Sequence, residues 1–168
     1  MKNEETKMEA WKARFLLGLF ALGAFLLPYV TGLIIEYSRV KQWELMGFSH
    51  EQTRSWWHNG FWQQSEAIRW RAARFGPYDA FSWKSMAFIA QDAKEWKEAG
   101  FDVAGAVEWR RYAFEPSEAA GWKSKEFSIG DAVAWRKYGF GSLEARRWRD
   151  AGYSPVTAAD KKRSRGSP

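Results

Sequence analysis

Two histidines, His50 and His58, are the residues of this sequence best suited to acid–base or metal chemistry. No cysteine and no carboxylate triad accompanies them, so their spacing does not predict a metal site. The lack of cysteine also excludes disulfides and a cysteine nucleophile. Phosphate-binding glycine loops, the HExxH pattern and a Ser/His/Asp set are absent from the sequence as well. We therefore expect no enzyme activity, no cofactor, no metal and no small-molecule substrate.

Basic residues that follow tryptophans could form a ladder of phosphate contacts. These bases are Arg71, Lys84, Lys97, Arg110, Lys123, Arg136 and Arg149. Acidic residues precede the same tryptophans by four residues at Glu66, Asp79, Asp92, Glu118, Asp131 and Glu144. Because an acid near a helix start and a base near its end interact favourably with the helix macrodipole, the pattern favours helix electrostatics over nucleic-acid contact.

The tryptophans before these bases belong to a repeat with a period of thirteen residues. Only the interval from Trp56 to Trp70 is fourteen, and an aromatic residue follows each repeated tryptophan by five residues. With alanine three residues before most tryptophans, the unit reads A-x-x-W-x-x-x-G-F. In one continuous helix, successive tryptophans would lie about 140° apart and could not align. The chain must therefore break once per repeat.

The residues around each break predict how one helix ends and the next begins. Glycine before the aromatic residue predicts a Schellman ending, which places Phe101 against Trp96 and Phe140 against Trp135. Polar caps and first-turn prolines then predict the helix starts: Ser49, Asp102, Ser128, Ser154, Pro77, Pro116 and Pro155. We expect an all-α fold of about nine single-helix repeats in a compact α-solenoid, with helices of about ten residues and three-residue links.

Tryptophan suits such short helices because one side chain can bury about 150–250 Å². We expect the repeated aromatic residues to form the structural core: Trp43, Trp56, Trp70, Trp83, Trp96, Trp109, Trp122, Trp135, Trp148, Phe48, Phe61, Phe75, Phe88, Phe101, Phe114, Phe127, Phe140 and Tyr153.

The unit at residues 55–70 departs from the repeat, because it has one extra residue and two additional tryptophans, Trp57 and Trp62. These tryptophans could contact the lipid interface or a partner protein, or the unit could merely cap the array. The candidate interaction residues are Trp57, Trp62, His58, Arg110 and Arg111.

Residues 15–35 form a run of 21 residues without a charge, preceded by a flank at residues 1–14. As a helix, this run matches a hydrocarbon core about 30 Å thick, so it predicts a single transmembrane helix. A cleaved signal peptide is disfavoured, since the run is long and lacks a good A-x-A site. No strict GxxxG motif indicates dimerisation. The flanking bases lean slightly towards a cytoplasmic amino terminus and leave the side of the repeat domain undecided.

The net charge of +6 lies mostly at the carboxyl terminus. The repeat domain, residues 36–160, carries eighteen Lys/Arg against seventeen Asp/Glu, whereas residues 161–168 carry four bases and no acid. We expect the latter segment to be a basic, disordered tail.

Anchor and repeats together predict a single-pass membrane protein that contacts the lipid bilayer and other proteins. Its expected function is a docking platform, or an accessory or structural subunit of a membrane complex, whose other subunits would be its partners. The alternative is a membrane-tethered nucleic-acid-binding protein that uses the bases after each tryptophan and the basic tail. The nearly neutral repeats disfavour nucleic acid as a partner.

Overall fold

A computed structural model describes the backbone of residues 2–166, without the side chains of residues 2–13, 15–22, 25, 165 and 166. All regular secondary structure in this part of the chain is helical, which confirms the all-α class. The helices are α1 (Lys2–Leu45), α2 (His50–His58), α3 (Gln64–Ala72), α4 (Pro77–Ser85), α5 (Ala90–Glu98), α6 (Val103–Arg111), α7 (Pro116–Lys123), α8 (Ile129–Lys137), α9 (Ser142–Asp150) and α10 (Pro155–Gly166). The chain divides into two compact units, Met1–Gln64 and Ser65–Pro168.

The first unit consists mainly of the long helix α1 and the short helix α2, which pack on each other. Val40 and Trp43 of α1 are buried, so the first repeat is the carboxyl end of this helix. The expected transmembrane segment, residues 15–35, also lies in α1, but its side chains at 15–22 and 25 are outside the described residues. Among the side chains that are described, no helix offers a stretch long and apolar enough to cross a membrane.

Every repeat ends in the Schellman geometry that the sequence predicts. The N–H of Phe101 donates to the Trp96 carbonyl at 3.1 Å, and the N–H of Gly100 donates to the Lys97 carbonyl at 3.1 Å. The same two bonds recur at equivalent positions in all nine repeats. Each ending sets the aromatic ring edge-on against its tryptophan, as in Trp96–Phe101, whose centroids are 5.2 Å apart.

The residue before the aromatic adopts a left-handed backbone, which favours glycine. Glycine occupies this position in five repeats, with φ of 83° at Gly100 for example. The other four repeats place a residue with a side chain there, with φ between 55° and 64°: Arg74, Ala87, Ala113 and Glu126. These four positions are therefore strained.

Relief of this strain should be measurable at Ala87. We expect Ala87→Gly to raise the free energy of unfolding by about 1 kcal/mol, because glycine accepts a positive φ without the Cβ clash. Gly100→Ala is the inverse control: a Cβ there meets no atom within 4 Å, so the substitution should destabilise through the backbone alone. Chemical unfolding of the full-length protein measures both. Equal signs for the two variants would contradict the explanation.

Helix starts also follow the sequence. Ser49 and Gln52 form a complete capping box, and Asp102 accepts the N–H of Gly105 at 2.8 Å. Most helices have nine residues and most links have four, rather than the expected ten and three. Four residues are needed because the C-cap, the left-handed residue, the aromatic residue and the N-cap each occupy one position.

The repeated aromatic residues and alanines line the interior. All of the aromatic residues expected in the core are buried except Trp148 and Tyr153, which are half-buried. Many phenylalanines touch the tryptophans on both sides; Phe101 lies 5.2 Å from Trp96 and 6.1 Å from Trp109, measured between ring centroids. The ring that ends one helix thus packs on the next.

Helices of the second unit pack in two alternating rows. Helix α5 contacts α7, and α7 contacts α9, while α4 contacts α5 and α9 contacts both α8 and α10. This packing confirms a helical repeat in which neighbours two helices apart also touch.

The basic carboxyl-terminal segment differs from the expected disordered tail. Helix α10 continues to Gly166, and residues 167–168 lie outside the described residues. Lys162 bonds Glu144 at 2.8 Å and lies 5.1 Å from the centroid of the Phe140 ring. The base repeats the pattern of the other repeats, which explains why the helix extends this far.

Candidate interaction surfaces

The arginine after a tryptophan reaches back to the end of the helix two positions earlier. Arg110 of α6 donates to the carbonyls of Met86 and Ala87, which end α4, at 2.6 and 3.2 Å. Its guanidinium carbon lies 3.6 Å from the centroid of the Phe88 ring. One side chain thereby binds two orphan carbonyls and covers the aromatic ring beside them.

Arg136 and Arg149 repeat this arrangement. Arg136 donates to the carbonyls of Tyr112 and Ala113, and its guanidinium lies 3.7 Å from the Phe114 ring centroid. Arg149 donates to the carbonyls of Lys125 and Glu126 and covers Phe127 at 4.2 Å.

A lysine makes a weaker version of the same contact. Lys123 donates only to the Gly100 carbonyl, at 3.3 Å, and its ammonium lies 4.7 Å from the Phe101 ring centroid. Arginine thus clamps the three strained endings at Ala87, Ala113 and Glu126, and lysine clamps the unstrained glycine ending.

Several of these bases also pair with an acid in the first turn of the preceding helix. Lys84 bonds Glu66 at 2.8 Å, and Arg136 approaches Glu118 at 3.6 Å. The sequence assigned acids and bases to the dipoles of their own helices. The structure adds that bases of one helix stabilise two earlier helices, a role that a single repeat does not reveal.

This role separates the two arginines among the candidate interaction residues. Arg110 is half-buried and holds the end of α4, so its guanidinium is already bound within the chain. Arg111 is exposed and has no ion-pair partner among the described residues. Of the two, Arg111 is the residue that a partner could reach.

A row of exposed, large side chains marks the ends of the even-numbered helices. The C-cap residues of α4, α6 and α8 are Met86, Tyr112 and Tyr138, exposed by 49%, 48% and 39%. Helices α5 and α9 of the other row end in alanines, Ala99 and Ala151. Large residues therefore recur every 26 residues, an alternation that an alignment of single thirteen-residue units obscures.

Exposed bases accompany this row. Arg111 precedes Tyr112, and Lys137 precedes Tyr138, each as the last residue of its helix. Neither base has an ion-pair partner among the described residues. We name Met86, Arg111, Tyr112, Lys137 and Tyr138 the C-cap strip.

The additional tryptophans form a cluster of their own in the first unit. Trp57 stands at the repeat position that bases occupy in later repeats, and it packs edge-on against Trp43 with centroids 6.0 Å apart. Trp62 stacks on Trp57 at 6.4 Å and is 68% exposed. His58 is exposed at the end of α2. Trp57 thus covers the core of the first repeat, and Trp62 presents its ring outward.

A groove of about 430 Å³ runs along one face of α1. Leu33, Tyr37 and Val40 form its apolar floor, and Glu36, Lys41, Glu44 and His50 line its edges. Lys41 bonds Glu44 at 3.2 Å. No three metal-binding side chains gather at one point among the described residues. The groove is therefore suited to an apolar side chain with charged neighbours.

The chain matches no protein-family model, no curated protein and no solved structure.

Proposed function

We propose that this protein is a single-pass membrane protein whose helical repeats form a docking platform, as an accessory or structural subunit of a membrane complex. The observation that carries the docking role is the C-cap strip, which displays aromatic side chains beside unpaired bases. Tyrosine and arginine are enriched among the residues that dominate protein–protein binding energy.

Membrane attachment is supported by the amino-terminal third of the chain. Residues 15–35 are uncharged in the sequence, and the described side chains from Leu26 to Ile35 within this run are exposed. Leu33 is 68% exposed and Leu27 is 62% exposed. Side chains this apolar are stabilised by transfer out of water, and a bilayer would cover them on every side of the helix.

The strip has the composition of an interface centre with a polar rim. Each tyrosine can bury its ring and keep its hydroxyl bonded, and the neighbouring base can pair with a carboxylate. Because Arg111 and Lys137 are the free charges of the strip, the proposed partner surface is acidic and carries apolar side chains. The recurrence along one row suits an extended partner segment.

Nucleic-acid binding has less support. Arg110, Arg136 and Arg149 are held by carbonyls of earlier helices, and Lys97 and Lys162 by carboxylates and aromatic rings. Binding phosphates with these residues would require breaking those contacts. The ladder of bases is therefore explained by the packing of the repeats.

The test is purification of the tagged full-length protein from carbonate-washed membranes of its native cells, with nuclease treatment, followed by mass spectrometry of stoichiometric partners. The double variant Tyr112→Ser with Tyr138→Ser should reduce the yield of the partner at least about tenfold, since two central contacts are removed. Tyr78→Ser is the matched control, because Tyr78 is 73% exposed but lies outside the strip.

Three results would overturn the proposal. The protein could be absent from the washed membranes, the partner could be retained equally by the double variant, or nucleic acid alone could accompany the protein.

A further inference from the structure

We infer that two copies of this chain pair through α1, parallel and in register, along a stripe formed by Leu26, Val30, Leu33 and Tyr37. These residues are exposed by 54%, 51%, 68% and 71%, so the stripe is open on the single chain. The partner at this surface is a second copy of the same helix.

The spacing of the stripe is that of a coiled-coil seam. Its intervals of four, three and four residues place Val30 and Tyr37 at heptad position a, and Leu26 and Leu33 at position d. The same spacing continues in the sequence to Leu16 and Leu19 on one side and to Val40 on the other. Pro28 falls at position f, which faces away from the seam.

The stripe extends beyond the uncharged run. Tyr37 lies between Glu36 and Ser38, past Ile35, where lipid would no longer require an apolar face. Its ring is nevertheless exposed, and it lines the groove together with Leu33 and Val40. A parallel neighbour would insert its own Tyr37 beside this groove and cover the apolar floor.

The charges that border the groove determine the direction of pairing. Glu36 occupies position g and Lys41 the following position e, the pair that forms salt bridges between parallel helices. Both are exposed, and Lys41 now bonds Glu44 of its own helix at 3.2 Å. In an antiparallel pair, position g would face position g of the partner, and Glu36 would lose Lys41 as its neighbour. The sequence thus complements itself only in the parallel arrangement.

Single cysteines test this arrangement directly, because the natural chain contains none. In the full-length protein in native membranes, mild oxidation should crosslink Leu26→Cys, Val30→Cys, Leu33→Cys and Tyr37→Cys efficiently. Thr31→Cys, Ile35→Cys and Ser38→Cys are controls at positions b and f, whose α-carbons would lie too far apart for a disulfide. Crosslinking that is absent, or equal at all seven positions, would overturn the proposal. Crosslinking only between Tyr37→Cys and Val40→Cys chains would show antiparallel pairing and would overturn it as well.

A charge exchange provides an independent test. In the Leu33→Cys background, Glu36→Lys and Lys41→Glu should each lower the crosslinked fraction about threefold, and the double exchange should restore it. Failure of the double exchange to restore pairing would contradict the assigned partners. These substitutions lie outside the C-cap strip, so loss of crosslinking with retained partner binding would reject the pairing and leave the docking role intact.

Discussion

Replacement of Trp109 by alanine should lower the free energy of unfolding by about 3–5 kcal/mol, the range for removing a large aromatic side chain from a core. Trp109 is 6% exposed, and its ring lies 5.0 Å from Phe114 and 6.1 Å from Phe101, both edge-on. The vacated space would border both rings. Because the α6 helix has only nine residues, it cannot compensate with other contacts.

The loss should spread beyond α6. Lys123 covers Phe101 and Arg136 covers Phe114, so a displacement of either ring disturbs a base from a later helix. Nearest-neighbour coupling of this kind makes repeat arrays unfold in blocks. We therefore expect hydrogen exchange in Trp109→Ala to increase in α7 and α8 as well as in α6.

Chemical unfolding of the full-length protein measures the effect on stability. Trp62→Ala is the matched control, because the same atoms are removed from a side chain that is 68% exposed. Its change should remain within about 0.5 kcal/mol. Equal destabilisation by the two substitutions would show that Trp109 does not have the packing role assigned to it.

Local features of the fold could be predicted from the sequence because each depends on residues a few positions apart. Glycine before phenylalanine specified the Schellman ending, and Ser49 with Gln52 specified the capping box. Both patterns satisfy orphan backbone groups at a helix end, and no distant residue has to be known. The same locality explains why an ending with Ala113 could not be distinguished from one with Gly100.

Features that depend on two repeats together could not be predicted from one unit. The clamp of Arg136 on the end of α6 joins residues 23 and 24 positions apart, and the C-cap strip recurs every 26 residues. A consensus of thirteen residues averages Tyr112 with Ala99 and thereby removes the difference between the two rows. The candidate site was accordingly found only in part: Arg111 belongs to the strip, whereas Arg110 belongs to the packing.

The arginine clamp provides the second large effect that we expect. Arg136→Met should cost about 2 kcal/mol, because it removes hydrogen bonds from a charged donor to two carbonyls and a cation–π contact with Phe114. Arg111→Met is the matched control at an exposed arginine without an ion-pair partner among the described residues, and it should change stability by less than about 0.5 kcal/mol.

The clamp and the strained turn should be energetically coupled. Arg136 binds the carbonyl of Ala113, whose φ is 55°, and thereby holds a backbone conformation that alanine disfavours. In an Ala113→Gly background the turn forms without this support, so the cost of Arg136→Met should fall to about 1 kcal/mol. Unfolding of the wild type, the two single variants and the double variant completes the cycle. Additive costs would mean that the arginine satisfies the carbonyls without stabilising the turn, and the preference for arginine at strained endings would need another cause.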